Sequence, residues 1–308
     1  MVEKVLIATD KPFAESARNT MVKMFEEAGF KPVVLEKYTD PKQFLSAIAD
    51  VAAVVVRSDK VTQEVLDAGK SLKLVVRAGA GYDNVDCGAA RAKNVIVENT
   101  PGQNANAVAE LAFGLMIMIA RGKYSGKSGT ELRGKSLGVH ALGNIGKIVA
   151  ALGKAFGMSV CAFDPFVEQC VFDEACAACV SNLEDLYSTC DYISVHIPAT
   201  PETNKSINYK LVTKLKKGAT LVNTARAEII HEEELFKAME DRPDIKYASD
   251  IAPKNAAAFL EKFGDRVFFT PKKMGAQTVE ANTNAGIAAA QQIIAFLKQG
   301  KVMFQVNK

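Results

Sequence analysis

The chain has 308 residues, 38 of them Lys or Arg and 35 Asp or Glu, for a formal charge of +3. A balance this small and dispersed argues against nucleic acid or a membrane surface as partner. The longest apolar run, Leu111 to Ala120, is too short to span a bilayer.

Strand and helix alternate from the start. Strands are expected at Lys4 to Thr9, Lys31 to Leu35, Ala52 to Arg57 and Leu72 to Arg77. Helices are expected at Ala14 to Gly29, Phe44 to Ala49 and Thr62 to Ala68. Runs such as Val-Ala-Ala-Val-Val-Val are apolar on both faces, which suits a parallel sheet covered on each side. The turn Asn99-Thr100-Pro101-Gly102 breaks the pattern. A helix follows from about Asn104 to Arg121, apolar on more than one face and so buried in a core or an interface.

Alternation resumes with strands at Ser136 to Ala141, Ser159 to Phe163, Tyr192 to His196, Thr220 to Asn223, Tyr247 to Asp250 and Val267 to Phe269. The cysteine-bearing stretch Cys170 to Cys179 reads as one amphipathic helix. Its C-x-x-C (Cys176, Cys179) has neither a second pair nor histidines at ligand spacing, so free thiols are expected and no metal site. Reduced thiols and an ordinary charged N-terminus point to the cytosol. A last helix, about Val279 to Lys298, leads to the tail. The fold expected is α/β, two doubly wound parallel-sheet domains. Residues 1–100 with 280–308 form one domain and 101–279 the other, with a cleft between lobes that could close by hinge motion.

The strand at 136–140 runs into Ala141-Leu142-Gly143-Asn144-Ile145-Gly146 and then a helix at Lys147 to Phe156. This is the Gly-x-Gly-x-x-Gly dinucleotide fingerprint with alanine in first place, a substitution expected to add only a methyl group at the turn. Backbone N–H groups and a helix N-terminus would meet a pyrophosphate there. Gly143 permits close approach of the phosphates, and Gly146 close packing of helix on strand. The next strand ends at Asp164, where an acid would hold a ribose 2′-hydroxyl and repel a 2′-phosphate, favouring NAD over NADP.

Several stretches resemble the D-2-hydroxyacid dehydrogenases, and among them the short phosphoglycerate dehydrogenases. They are Val75 to Asp86, Asn99 to Asn104 through Ala109-Glu110-Leu111, Ser194 to Pro198 with Thr203, Val222 to Arg226, and the ending Phe304 to Asn307. The resemblance implies a flavodoxin-like and a Rossmann-like domain. It implies hydride exchange between NAD and a small 2-hydroxy acid, and a backbone nest at Gly79, Ala80 and Gly81 for the substrate carboxylate. It also implies an Arg226 that orients and polarises the 2-oxo group, and an Asp250 that holds the nicotinamide carboxamide. His196, Pro198, Thr203 and Thr224 would line the cofactor pocket.

One departure stands out. Most family members pair a catalytic His with a Glu, and this chain has neither in the matching places. Its three histidines are His140, His196 and His231, and Thr270-Pro271 leads into Lys272-Lys273-Met274-Gly275-Ala276-Gln277-Thr278. That stretch resembles a lysine-using branch, which makes Lys273, ahead of Lys272, the expected acid and base. A decayed enzyme that keeps NAD as a ligand is the alternative. Arg57 and Ser58, with Arg77 and Asn104, would suit a phosphate, favouring 3-phosphoglycerate and 3-phosphohydroxypyruvate over glyoxylate or hydroxypyruvate. The resemblance further implies a homodimer through the helix at 104–121, and no C-terminal serine-binding domain. The NAD-binding corepressors that share this fold supply the non-enzymatic reading.

Overall fold

The computed structural model describes residues 2–308. It begins with β1 (Lys4–Thr9), α1 (Glu15–Glu27), β2 (Lys31–Glu36), α2 (Pro41–Ile48), β3 (Ala53–Val56), α3 (Gln63–Ala68), β4 (Leu74–Arg77), α4 (Cys87–Ala92) and β5 (Ile96–Asn99). A second series follows: α5 (Ala105–Ala120), β6 (Ser136–His140), α6 (Asn144–Ala155), β7 (Ser159–Phe163), α7 (Gln169–Glu174), β8 (Ala178–Cys179), α8 (Leu183–Thr189) and β9 (Tyr192–Val195). It continues with α9 (Tyr209–Val212), β10 (Thr220–Asn223), α10 (Glu232–Asp241), β11 (Lys246–Ser249), α11 (Ala256–Phe263) and β12 (Val267–Phe269). The long α12 (Val279–Gln299) closes the order. The chain forms two compact units, residues 1–104 with 278–308 and residues 105–277.

In the first unit five strands pair in parallel in the order β2-β1-β3-β4-β5, the flavodoxin-like winding. Side chains alternate across a strand, and the sequence uses both faces. Leu6, Val54, Val56 and Val75 pack under Phe44 and Ile48 of α2. Ile7, Val55, Leu74 and Val76 meet Met21 and Phe25 of α1 with Ala289 and Ile293 of α12. The final helix is therefore part of this unit's core. The tail after it covers β5: Asn307 accepts from Val97 N (3.0 Å) and donates to Val95 O (2.8 Å). That pairing satisfies an edge that would otherwise be exposed.

The second unit holds seven parallel strands in the order β12-β11-β10-β9-β6-β7-β8. This is the Rossmann winding, and its direction reverses between β6 and β9, where such sheets bind ligands beyond the strand C-termini. The apolar α5 lies in this unit's core, with Ala109, Ala112, Met116 and Ile119 packed with Leu137 and Val139 of β6. The stretch Cys170 to Cys179 is not one helix. The chain leaves α7 at Glu174, turns through Cys176 at φ 51° and enters β8 with Cys179. All six cysteines are free thiols.

Candidate active site

Every predicted residue of the second unit lies in the segment that follows the C-terminus of a strand. After β6 the fingerprint turn begins at Ala141, whose φ of 80° is left-handed. Alanine in first place therefore adds backbone strain as well as a methyl group. Gly146 has no room for a side chain, because a Cβ there would lie 2.1 Å from Ala141 O. Helix α6 begins after Gly143 without a side-chain cap. The N–H groups of Asn144 and Ile145 consequently have no acceptor among the described residues, the arrangement that receives an anion. Asp164 accepts from Leu142 N through Oδ2 (2.8 Å) and from Phe166 N through Oδ1 (2.9 Å). Its carboxylate thus ties β7 to the fingerprint turn.

His140 ends β6, and its carbonyl accepts from His196 N (2.9 Å) across the switch point. Both imidazoles are held neutral. Burial pushes His140 down to about 4 against the opposing pull of Asp164, and pushes His196 down to about 3, helped by His140. His196 Nε2 bonds with Ser194 Oγ (2.8 Å), and His140 Nδ1 with Tyr187 Oη (3.2 Å). Thr203 donates to Pro198 O (2.6 Å) and accepts from Thr200 N (2.8 Å), so it closes the loop after β9.

Three buried polar atoms at these strand ends have no partner among the described residues: His196 Nδ1, Thr224 Oγ1 and Asp250 Oδ1. Such atoms cost stability unless a ligand satisfies them. They follow β9, β10 and β11, consecutive strands of one sheet edge. Asp250, fully buried, uses its other oxygen to accept from Met274 N (3.2 Å) and Gly275 N (2.7 Å). That oxygen orders the loop carrying Lys273.

The predicted catalytic pair meets within this unit. Arg226 Nη1 donates to Ala225 O (2.9 Å), and Lys273 Nζ donates to the same carbonyl (3.4 Å). Asn223 braces the turn, donating to Arg226 O (2.9 Å) and accepting from Ala225 N (2.9 Å). Lys272 contributes its carbonyl, which accepts from the Thr270 hydroxyl (2.7 Å).

In the first unit Gly79, with φ +146°, lies against the Arg77 guanidinium, which a Cβ would meet at 1.7 Å. The N–H groups of Gly79, Ala80 and Gly81 have no acceptor among the described residues, as a carboxylate nest requires. Asn104 ends this stretch, half-buried. Arg57 is more engaged than its sequence position suggests. Nη1 donates to Lys11 O and Pro12 O (both 2.8 Å), Nη2 to Asn282 Oδ1 (2.5 Å), and the guanidinium covers the Phe13 ring. Ser58 bonds Asp10 (3.3 Å). Arg57 thus anchors the 11–13 segment, a role that distant sequence partners concealed. No local sequence pattern marks the side-chain bonds of Asn99 to Ala80 O and of Gln292 to Asn99 O, although Asn99 opens one of the motifs.

Among the described residues no group of three or more acidic, His or Cys side chains could hold a metal, and no helix is long and apolar enough to cross a membrane. Residues 113–271 match the family model described as D-isomer specific 2-hydroxyacid dehydrogenase, NAD binding domain. The chain is 35% identical over 306 residues to a D-3-phosphoglycerate dehydrogenase of Methanocaldococcus jannaschii, covering 94% of this chain but 56% of that protein. It is 36% identical to a hydroxypyruvate reductase of Thermotoga maritima, over 84% of this chain and 89% of the relative. The structure is similar to that of NAD+-bound 3-phosphoglycerate dehydrogenase from Entamoeba histolytica, at 42% identity and a TM-score of 0.90, covering 100% and 99% of the two chains. The chain belongs to the D-isomer specific 2-hydroxyacid dehydrogenases.

Proposed function

We propose that the protein interconverts D-3-phosphoglycerate and 3-phosphohydroxypyruvate with NAD, using Lys273 as acid and base and Arg226 to polarise the 2-oxo group. The observation that carries this reading is the convergence of Arg226 Nη1 and Lys273 Nζ on Ala225 O. Hydride transfer to a 2-oxo acid needs a fixed cation and a proton donor at one carbonyl, and this unit brings both to one carbonyl oxygen, Arg226 from the turn after β10 and Lys273 from the loop after β12. The three unpartnered atoms fit NAD. Asp250 Oδ1 can accept from the carboxamide, and Thr224 Oγ1 and His196 Nδ1 can complete a polar wall around the nicotinamide ribose. When bound, NAD supplies the hydride acceptor or, as NADH, the donor.

The chain's own part divides by unit. Ala80 and Gly81 offer N–H groups to the substrate carboxylate, and Arg77 packs beneath that loop. Arg226 keeps its charge throughout and moves no proton. It stabilises the negative charge that develops on the carbonyl oxygen during reduction. Lys273 Nζ delivers the proton to that oxygen and recovers one from solvent, and in oxidation the transfer runs backwards. The buried neutral histidines hold shape and carry no proton in this scheme.

The choice of a phosphorylated substrate is supported mainly by the relatives at 35% and 42% identity, since Arg57 is largely committed to backbone carbonyls. A substrate panel tests it. Purified protein with NADH is expected to turn over 3-phosphohydroxypyruvate with a kcat/KM at least about tenfold above hydroxypyruvate and glyoxylate, because a lost charged contact is worth roughly that factor. Preference for hydroxypyruvate would move the chain to the reductase reading that the Thermotoga relative favours. NADH binding without turnover of any of the three would leave the interaction-module reading.

A further inference from the structure

The N–H groups of Gly79, Ala80 and Gly81 have no acceptor among the described residues, and hydrogen bonds to two of the nest's carbonyls set the direction of the N–H groups that follow them. A trans peptide is planar, so the C=O of one residue and the N–H of the next point opposite ways. The described chain has no cis peptide. Fixing Gly79 O therefore fixes Ala80 N–H, and fixing Ala80 O fixes Gly81 N–H.

Both carbonyls are tied to one short stretch of β5 and its exit. Thr100 N donates to Gly79 O (3.0 Å), and Asn99 Nδ2 donates to Ala80 O (2.6 Å). The first tie is backbone and belongs to any residue at 100. The second depends on the Asn99 amide. Asn99 is itself buried, and its carbonyl accepts from Gln292 Nε2 of α12 (3.1 Å). Gln292 is only 3% exposed and stands beside the Ala289, Ala290 and Ile293 core positions. Its Oε1 has no partner among the described residues. A polar side chain buried at a cost in an otherwise apolar helix face needs a return, and its bond to Asn99 is the one it makes.

Resting on the functional reading above, we propose that Asn99 is a positioning residue for substrate, aiming the Gly81 N–H at the substrate carboxylate through the Ala80–Gly81 peptide, with Gln292 holding Asn99 from behind. Neither residue needs to touch the substrate. Removing the amide releases one peptide to rotate, and rotation would present a carbonyl oxygen, not an N–H, to the anion. Substrate affinity suffers while the cofactor site of the other unit keeps all its groups.

The test compares wild type, Asn99→Ala, Asn99→Asp and Gln292→Leu in steady-state reduction of 3-phosphohydroxypyruvate, with oxalate as a dead-end anion titrated in the presence of NADH. Asn99→Ala is expected to raise KM and weaken oxalate by about tenfold, the effect of one misdirected hydrogen bond to an anion. Asn99→Asp, which places an acceptor against Ala80 O, is expected to do more. Gln292→Leu, which keeps the packing, is expected to do less. NADH affinity and saturating kcat stay within about twofold in all three, because those depend on other residues. Asn99 variants with unchanged KM and oxalate affinity, beside an active wild type, overturn the positioning role alone. Loss of NADH binding and melting temperature in step with KM also overturns it, as a general structural effect. A wild type that neither binds oxalate nor turns over substrate overturns the functional reading, and this inference with it.

Discussion

At Ala141 the dinucleotide fingerprint is written with a side chain in a position whose φ is 80°. An L-residue held in that region costs on the order of 1 kcal/mol relative to glycine. Ala141→Gly is therefore expected to stabilise the protein by up to about 1 kcal/mol in urea denaturation, reduced by the extra freedom glycine has when unfolded. A clear loss of stability would show that the methyl group is packed to advantage. Asp250 divides its labour between two oxygens, one ordering the Lys273 loop and one unpartnered. Asp250→Asn keeps an acceptor for Met274 and Gly275 but can present a donor where the carboxamide needs an acceptor. NADH is expected to bind about tenfold more weakly, as titration by nicotinamide fluorescence would show. His140 and His196 give the molecule an acid limit. Both are pushed well below the ordinary imidazole value, to about 4 and about 3, whereas the unfolded chain takes up its protons near 6.5. Between those values the unfolded state binds more protons, so stability is full above about pH 6.5 and falls as pH drops toward 4. His140→Gln should flatten that slope in melts at stepped pH, whatever its stability at pH 8. An unchanged slope would mean that His140 is not among the groups responsible.

Between elements, the critical join is α6 against β6. A Cβ at Gly146 would meet backbone at 2.1 Å, which no rotamer relieves. Gly146→Ala is expected to lose NADH binding by more than about tenfold and to destabilise the second unit by a few kcal/mol, as overpacking against a fixed backbone does. Retained affinity would place the phosphates elsewhere. Strands such as Lys4–Thr9, Ser159–Phe163 and Thr220–Asn223 are legible in the sequence to the residue because short apolar cores bounded by turn residues recur between helical stretches. Cys87–Ala92 and Ile96–Asn99 are not. The helix is six residues long with one buried side chain, Ala90. The strand contains Glu98 and Asn99, buried polar residues that break its apolar signature. Their partners, Met303, Phe304 and Ala80, lie far away or in a loop, so no local pattern announces them. Cys170 to Cys179 misled for the opposite reason. Its spacing suits a helix, but the left-handed turn at Cys176 sends the chain into an edge strand. The placement of the fingerprint, Asp164, Arg226 and Asp250 is legible because each follows the end of a strand. The engagement of Arg57 was not, because Asn282 is 225 residues away.

The chain builds two differently wound parallel sheets, and in the proposed function one unit would carry the nest and the other the fingerprint, the unpartnered atoms and the cationic pair. The family resemblance implied a homodimer through the helix now seen as α5. Much of that helix is core, yet Leu111, Ile117 and Met118 remain only half-buried. Sedimentation is expected to give a species of twice the 33.1 kDa chain mass, and Ile117→Asp to shift it toward monomer. A wild type that sediments only at the single-chain mass would remove the dimer. The proposed role of Lys273 as acid and base is tested by kcat for 3-phosphohydroxypyruvate reduction in wild type, Lys273→Ala and Lys272→Ala. Loss of the general acid should lower kcat by about 10²–10⁴-fold in Lys273→Ala, with NADH affinity retained and Lys272→Ala close to wild type. A Lys273→Ala enzyme that turns over at the wild-type rate would show that Lys273 is not the acid and base.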